Sequence, residues 1–168
     1  MGEDDKGEQL LGKNFRVETA QYVTTKMTQF AQVIVVEKPV RLKEVELALR
    51  KFGGSGQVWL DLRADNNSKP GSLIKTSRII DLNNISVGKG YDWVPFSFAG
   101  KPLLLAPGRY WIGLGFTGSP VINWFYTYGK PVGPVDGTRY KSVYDDDWSG
   151  ALAYEFNYRA RGKTVNRK

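Results

Sequence analysis

The sequence contains no histidine and no cysteine among its 168 residues. The lack of cysteine excludes a disulfide framework, a thiolate nucleophile and a cysteine-ligated zinc site. The lack of histidine excludes Ser–His and Cys–His catalytic pairs, histidine-ligated metals and an imidazole that titrates near neutral pH. No apolar run reaches the roughly 18 residues that a membrane-spanning helix requires. These absences remove most familiar catalytic centres, but they do not name a function.

The net charge of +7 is concentrated at one end of the chain. Residues 159–168 contain five basic residues and no acidic one, which leaves a net charge of +2 for residues 1–158. A nearly neutral body is poorly suited to follow a nucleic-acid backbone, because such binding requires several cations along one surface. Nucleic-acid binding is therefore not expected, and the basic end is interpreted as a solvated tail. Contact of that tail with a polyanion is the alternative.

Short apolar segments separated by glycine and proline predict an all-β chain. The one ambiguous segment is 41–52, whose composition suits a helix. Its valine and leucine residues nevertheless alternate with charged ones, so we predict a strand and keep a helix as the alternative. The other predicted strands are 28–36, 57–63, 73–82, 91–98, 109–116, 121–128, 139–144 and 151–159.

Strands at this spacing predict a two-sheet antiparallel β-sandwich of the jelly-roll type. Glycine-rich turn signals are present at 53–56 and 118–120, and an Asp/Asn/Pro/Gly turn at 65–71. The longest predicted connection is 129–137, and loops of that length are often functional or mobile. The chain is divided into an N-terminal tail or peripheral strand (1–20), a β-sandwich domain (21–162) and a basic C-terminal tail (163–168).

Three tryptophans fall out of phase with the apolar residues of their own strands. Because side chains alternate between the two faces of a strand, Trp59 falls on the polar face together with Asp61 and Arg63. Trp93 and Trp111 also fall opposite the main apolar residues of their segments. Each of these strands therefore places one large aromatic ring on its second face.

Two interpretations of the second face stay open. It is either covered, so that the tryptophans form a minor core, or exposed as a stacking platform. A platform suits sugars, since a pyranose ring has apolar C–H faces and hydroxyl groups at its edge. On that interpretation the candidate ligand-binding residues are Trp59, Trp93, Trp111, Trp148, Asp61 and Arg63.

The acidic segment Asp145, Asp146 and Asp147 is a candidate calcium site, because Ca²⁺ prefers several oxygen ligands. It lacks the spacing of a twelve-residue calcium loop, so solvated turn residues are the alternative. No other cofactor is expected. A glycosidase needs two carboxylates across a cleft, and nothing in the sequence pairs any two acids in that way. We therefore expect no catalytic residues and no enzyme activity.

Three phrases carry a resemblance to a known class of protein. They are Leu62-Arg63-Ala64-Asp65 followed by Pro70-Gly71, Trp93-Val94-Pro95-Phe96-Ser97-Phe98, and Ala106-Pro107-Gly108-Arg109-Tyr110-Trp111. Together they resemble bacterial secreted and surface β-sandwich modules, similar to the carbohydrate-binding modules of glycoside hydrolases. The resemblance implies an accessory domain, and it assigns no ligand residue.

The function expected from the sequence is a non-catalytic module that binds carbohydrate through an aromatic face. The alternative is a structural or assembly module, of a phage particle or a cell surface, that uses the same face for protein contact or self-association. No signal-peptide pattern follows Met1. The resemblance nevertheless favours an extracellular or cell-surface location, with the chain as part of a longer or processed protein. No insertion into a membrane is expected.

Overall fold

The computed structural model describes residues 9–13, 22–25, 28–85, 91–98, 100, 103–128, 138–142, 144–149 and 154–165. The loop predicted at 129–137 lies outside them, as do 1–8, 14–20 and 166–168 of the predicted tails. The strands are β1 (Gln9–Lys13), β2 (Tyr22–Thr25), β3 (Thr28–Val36), β4 (Val40–Asn66), β5 (Lys69–Thr76), β6 (Ile80–Asp81), β7 (Asp92–Ser97), β8 (Leu103–Leu105), β9 (Gly108–Tyr128), β10 (Thr138–Ser142), β11 (Tyr154–Phe156) and β12 (Tyr158–Thr164). No helix of the described residues is long and apolar enough to cross a membrane.

The prediction of an antiparallel all-β fold is confirmed. Every strand pair described is antiparallel, and the central path runs β1-β12-β4-β9-β3-β10. A sandwich of two separate sheets is not confirmed. Strands β4 and β9 are long enough to run through both halves of the fold, so they join the strands into a sheet that nearly closes into a barrel.

The ambiguous segment 41–52 is a strand, as predicted, and forms the first half of β4. Its alternating residues Val45, Leu47 and Leu49 are completely buried. A helix would have distributed them around its circumference, whereas a strand directs them all into one core. The gain from burying them therefore outweighs the helix propensity of the charged residues between them.

The predicted turns at 53–56 and 118–120 are wrong. Both stretches lie inside long strands, and they pair with each other: Gly54 lies opposite Pro120, and Gly56 lies opposite Gly118. The φ angles are +81° at Gly54, +130° at Gly56 and +77° at Gly118. The glycines therefore supply left-handed backbone within two matched, paired strands rather than ending either strand.

The predicted turn at 65–71 is present and is the β4–β5 hairpin. Its tip is Asn67 and Ser68, whose φ angles of +51° and +66° are those of a tight hairpin turn. Asparagine tolerates this conformation better than most residues do.

The ends of the chain add one peripheral strand, because β1 pairs with β12. Strand β12 continues to Thr164, two residues beyond the predicted end of the domain at 162. The division of the chain at 20 and 162 stays a prediction.

The main core fills the interior enclosed by the sheet. It is aliphatic with a few aromatic rings, and Trp124 stacks on Phe156 with a centroid distance of 4.2 Å. Its buried members are Phe30, Ile34, Val40, Leu42, Val45, Leu47, Leu49, Val58, Leu60, Leu62, Leu82, Ile85, Val94, Phe96, Phe98, Leu105, Ile112, Leu114, Ile122, Trp124, Phe156 and Ala160.

Candidate functional site

The predicted phase of the three tryptophans is confirmed. Val58, Leu60 and Leu62 point into the main core, so Trp59 and the residues alternating with it point the other way. The same alternation places Trp111 and Trp93 outside the main core. We call the surface of β3, β4 and β9 that faces away from the main core the outer face. Its members are Ala31, Val33, Val35, Gln57, Trp59, Asp61, Arg63, Asp65, Arg109, Trp111, Gly113, Gly115 and Thr117.

Trp111 forms a second, smaller core on the outer face. It is 0% exposed and packs with Ala31 and Val33, and half-buried Trp148 lies against this cluster. The indole Nε1 of Trp111 donates a hydrogen bond of 2.7 Å to Oδ1 of Asp65. The minor-core interpretation thus describes Trp111, whose ring has no face open to a ligand in this arrangement.

The segment 144–149 holds Trp148 in place over this cluster. Lys69 Nζ lies 3.1 Å from Asp147 Oδ2, and the backbone N–H of Trp148 donates to Asp147 Oδ1 over 2.8 Å. Ser149 N donates to Tyr140 O over 2.7 Å, which fixes the segment to β10. Lys141 Nζ lies 5.4 Å from the centre of the Trp148 ring, within cation–π range.

The hydrogen bond from Lys69 is the main cause of a lowered pKa at Asp147, assisted by the N–H of Trp148 and the charge of Lys69. A lowered pKa means that the pair stabilises the segment at neutral pH, and that this contribution is lost as the pH falls through that pKa. The pair is solvent-exposed, so the contribution is small. In the part of the chain that is described, no group of three acidic side chains is placed to hold a metal ion. Calcium binding by Asp145, Asp146 and Asp147 stays a prediction.

Trp59 differs from Trp111 in remaining half-buried, with its indole against the backbone of β9. A Cβ atom placed on Gly115, directly opposite Trp59, would lie only 2.3 Å from the indole Nε1. Glycine at 115 is therefore what allows the ring to lie so close to the neighbouring strand.

Gly113 forms the floor of a shallow trough beside Trp59. A Cβ added there would make only ordinary contacts with described residues, 3.6 Å from Phe30 O and 3.9 Å from Ala31 Cβ. Trp59 lies over Gly115, next to Gly113 on the same face, and Trp148 packs against the neighbouring cluster of Ala31, Val33 and Trp111. The half-buried rings of Trp59 and Trp148 therefore lie near a strip of β9, Gly113 and Gly115, that carries no side chain. We call this strip the Gly113 trough.

The polar groups at the β4 side of the trough are fixed in position. Asp61 is directly opposite Gly113, and its Oδ1 accepts a hydrogen bond of 3.0 Å from Thr76 Oγ1. Arg63 Nη2 lies 3.7 Å from Asp61 Oδ2, and Arg63 Nη1 donates to Gly71 O over 3.1 Å. A carboxylate and a guanidinium are therefore held beside the aromatic ring, where both can bond to hydroxyl groups.

Trp93 lies apart from the other predicted site residues. It is on β7, opposite Ala48, and its ring is covered on one side by the Arg159 guanidinium at 4.0 Å from the ring centre. Tyr91 contacts it edge-on at 5.7 Å. The structure thus brings five of the six predicted ligand residues to the outer face or its covering segment and places Trp93 on a different surface.

Sequence reasoning missed two residues next to this site. Arg139 is directly opposite Ala31 on β10, and Lys141 lies two residues further along the same side of that strand. The predicted strand at 139–144 already places Arg139 and Lys141 on the same face of that strand. That this face adjoins the outer face of β3 is known only from the order of strands in the sheet.

Substituting the two trough glycines separates their roles. Gly115→Ala is expected to displace the Trp59 indole, because the added methyl overlaps Nε1, whereas Gly113→Ala adds a methyl that fits. The ¹H–¹⁵N indole signal of Trp59, assigned through a Trp59→Phe variant, should shift in the first variant and stay in the second. Equal spectra for the two variants would contradict the placement of Trp59 over Gly115.

The fold and this face define an all-β domain with an aromatic outer surface, and the comparisons with known proteins agree with the first part of that description. No protein-family model matches the chain, and no curated protein sequence matches it. A solved structure does match: the cysteine protease and lectin-like domains of Cwp84, a surface-layer-associated protein of Clostridium difficile. The TM-score is 0.59 at 10% identity, over 86% of this chain and 34% of the solved one. At that identity the similarity shows a shared all-β fold alone, and this chain spans about a third of the solved chain's length.

Proposed function

We propose that this domain is a non-catalytic module that binds carbohydrate on its outer face, at the Gly113 trough. The observation that carries the proposal is the half-buried ring of Trp59, held beside a strip without side chains and next to Asp61 and Arg63. A sugar ring placed over the trough would meet an aromatic surface on its apolar face and hydrogen-bonding groups at its edge. Trp148 supplies a second aromatic ring near the trough.

The structural comparison supports a binding role of this class. One of the two domains named for the matched protein is lectin-like, and the protein itself is associated with a surface layer. We accordingly propose a cell-surface or extracellular location for this chain. The ligand itself is inferred from the geometry of the outer face.

The acids of the outer face favour binding over catalysis. Asp61 accepts from Thr76 and is close to Arg63, and Asp65 accepts from the buried indole of Trp111. Each of these carboxylates therefore has a structural partner. A glycosidase would need one carboxylic acid and one carboxylate facing each other across a cleft.

Truncating Trp59 tests the proposal. Trp59→Ala is expected to weaken the binding of an oligosaccharide by about tenfold or more, since it removes the stacking surface. Trp93→Ala is the matched control: it removes a tryptophan that is also half-buried but lies on another surface, so affinity should stay within about twofold. Titration calorimetry with plant, microbial and host oligosaccharides is the measurement. No binding across the panel, or equal affinities for Trp59→Ala and the wild type, would overturn the proposal.

A protein-contact role for the same surface is the second candidate. Leu73 on β5 lies directly opposite Arg63 and is 51% exposed, so an apolar side chain adjoins the polar pair. Neighbouring Ile74 is also exposed. An apolar and charged mixture of this kind is found in protein interfaces as well. Concentration-dependent self-association in light scattering, together with silence toward saccharides, would favour this role.

A further inference from the structure

Arg139 is a deeply buried cation without an acidic partner. It is 9% exposed, and its Nε donates a hydrogen bond of 3.0 Å to Ser68 O at the tip of the β4–β5 hairpin. Within the described residues, neither of its terminal Nη nitrogens has a hydrogen-bond partner in the protein, and no carboxylate lies within ion-pair distance. Neither nitrogen is sealed from solvent. Four N–H groups of one guanidinium therefore remain available at this position.

Three partly buried arginines among the described residues are paired with acids. Arg63 lies beside Asp61, and Arg159 and Arg161 both bond to Glu46. Pairing is expected, because taking a charge out of water is costly unless another group compensates it. Arg139 has no such partner among the described residues. An anion from outside the chain would compensate its charge and accept hydrogen bonds from its terminal nitrogens.

Arg139 lies on the same face of the sheet as Gly113, with the buried Ala31 between them. The cross-strand pairs Asp61–Gly113, Gly113–Ala31 and Ala31–Arg139 form one row over β4, β9, β3 and β10. Three strand spacings make this row about 14 Å wide. Lys141 follows on the same side of β10, with its ammonium near the Trp148 ring. The β10 end of the row therefore carries two cations, and Trp148 lies beside them.

We propose that Arg139, with Lys141, forms an oxyanion subsite at the β10 end of this row, and that a carbohydrate extending there from the Gly113 trough is acidic. The shared chemistry is a carboxylate or phosphate group on the glycan, which the planar guanidinium binds through two parallel N–H bonds. Lys141 adds a second positive charge to the same group. This inference rests on the proposed carbohydrate-binding function and specifies its substrate class.

Two matched pairs of saccharides test the subsite. One pair is an oligogalacturonate and its methyl-esterified form; the other is a phosphorylated oligomannose and its dephosphorylated form. Within each pair only the charge changes, and the two pairs distinguish a carboxylate from a phosphate. We expect the charged member of at least one pair to bind about tenfold more tightly than its neutral form. That preference should shrink as salt is added.

Variants of the protein assign the preference to the subsite. Arg139→Gln should abolish the preference by weakening the binding of the charged form, and Arg139→Lys should restore it only in part, since the ammonium lacks the planar fork. Lys141→Gln, a change at a more exposed position, should reduce the preference severalfold and serves if Arg139→Gln fails to fold. Arg78→Gln, which removes one exposed charge elsewhere, should leave it unchanged.

The outcomes separate the two proposals. Equal affinity for charged and neutral forms, or a preference that survives both Arg139→Gln and Lys141→Gln, would overturn the acidic subsite while leaving carbohydrate binding intact. Failure of every saccharide, charged and neutral, would overturn the proposed function and this inference with it.

Discussion

Replacing Gly56 with alanine is expected to destabilise the fold by more than about 3 kcal/mol. Its φ of +130° lies in a region that is almost restricted to glycine, and an added Cβ would lie 2.0 Å from the carbonyl oxygen of Thr117 on the partner strand. That oxygen is backbone of the strand paired with Gly56, so it cannot move aside without disturbing the β4–β9 pairing. The midpoint of thermal unfolding should fall by about 10 °C, or the variant should fail to fold.

The matched control lies three residues away. Gly53→Ala adds the same methyl group in the same stretch, but a Cβ there meets no described atom within 4 Å and Gly53 has no left-handed φ. Its melting temperature should stay within a few degrees of the wild type. Similar losses in the two variants would contradict the close approach of Gly56 to Thr117 that the pairing of β4 and β9 produces.

Replacing Trp111 with alanine is expected to cost about 3–5 kcal/mol, the loss seen when a large aromatic ring is removed from a core. Trp111 lies outside the main core, yet it is completely buried and bonds to Asp65. The variant would lose the packing against Ala31 and Val33 and leave the Asp65 carboxylate without the indole N–H. Denaturant unfolding at neutral pH measures the loss directly.

Trp148→Ala provides the comparison for Trp111→Ala. Trp148 is half-buried and covers the same cluster from outside, so its removal should cost clearly less than the removal of Trp111. If instead Trp111→Ala unfolds at the same denaturant concentration as the wild type, the outer face does not contain a second core, and the description of this surface is wrong.

Much of the fold follows from alternation in the sequence. Val58, Leu60 and Leu62 identify the core face of β4, and the residues between them must then lie on its other face. This follows because side chains alternate between the two faces of any strand. The same alternation correctly predicted a strand at 41–52, although the composition of that segment suits a helix. The three out-of-phase tryptophans were placed correctly relative to the main core for the same reason.

The rest depended on which strands are neighbours. The glycines in 53–56 predicted a turn. In the structure they lie opposite Gly118 and Pro120, where they allow the backbones of two paired strands to approach closely. Strands β4 and β9 therefore continue through both halves of the fold. From the sequence, each of them was predicted as two separate strands. Turn residues in a sequence do not reveal whether the chain reverses at them.

Burial of the outer face was equally beyond the sequence. Trp59 and Trp111 show the same local alternation, but Trp111 is buried by the 144–149 segment and Trp59 is not. Arg139 gave no signal at all, because the absence of an acidic partner is visible only once its neighbours are assembled. The burial of a surface side chain and the presence of an ion-pair partner both depend on the tertiary structure, and local periodicity carries no information about them.

The most direct test of carbohydrate binding at the outer face is a titration followed by ¹H–¹⁵N spectra of the five indole N–H groups, assigned through single Trp→Phe variants. On addition of an oligosaccharide that binds, the Trp59 signal should shift the most, with a smaller shift at Trp148. Trp124, buried in the main core, and Trp93, on another surface, should not move. A titration in which Trp93 shifts while Trp59 stays in place would contradict the proposed site.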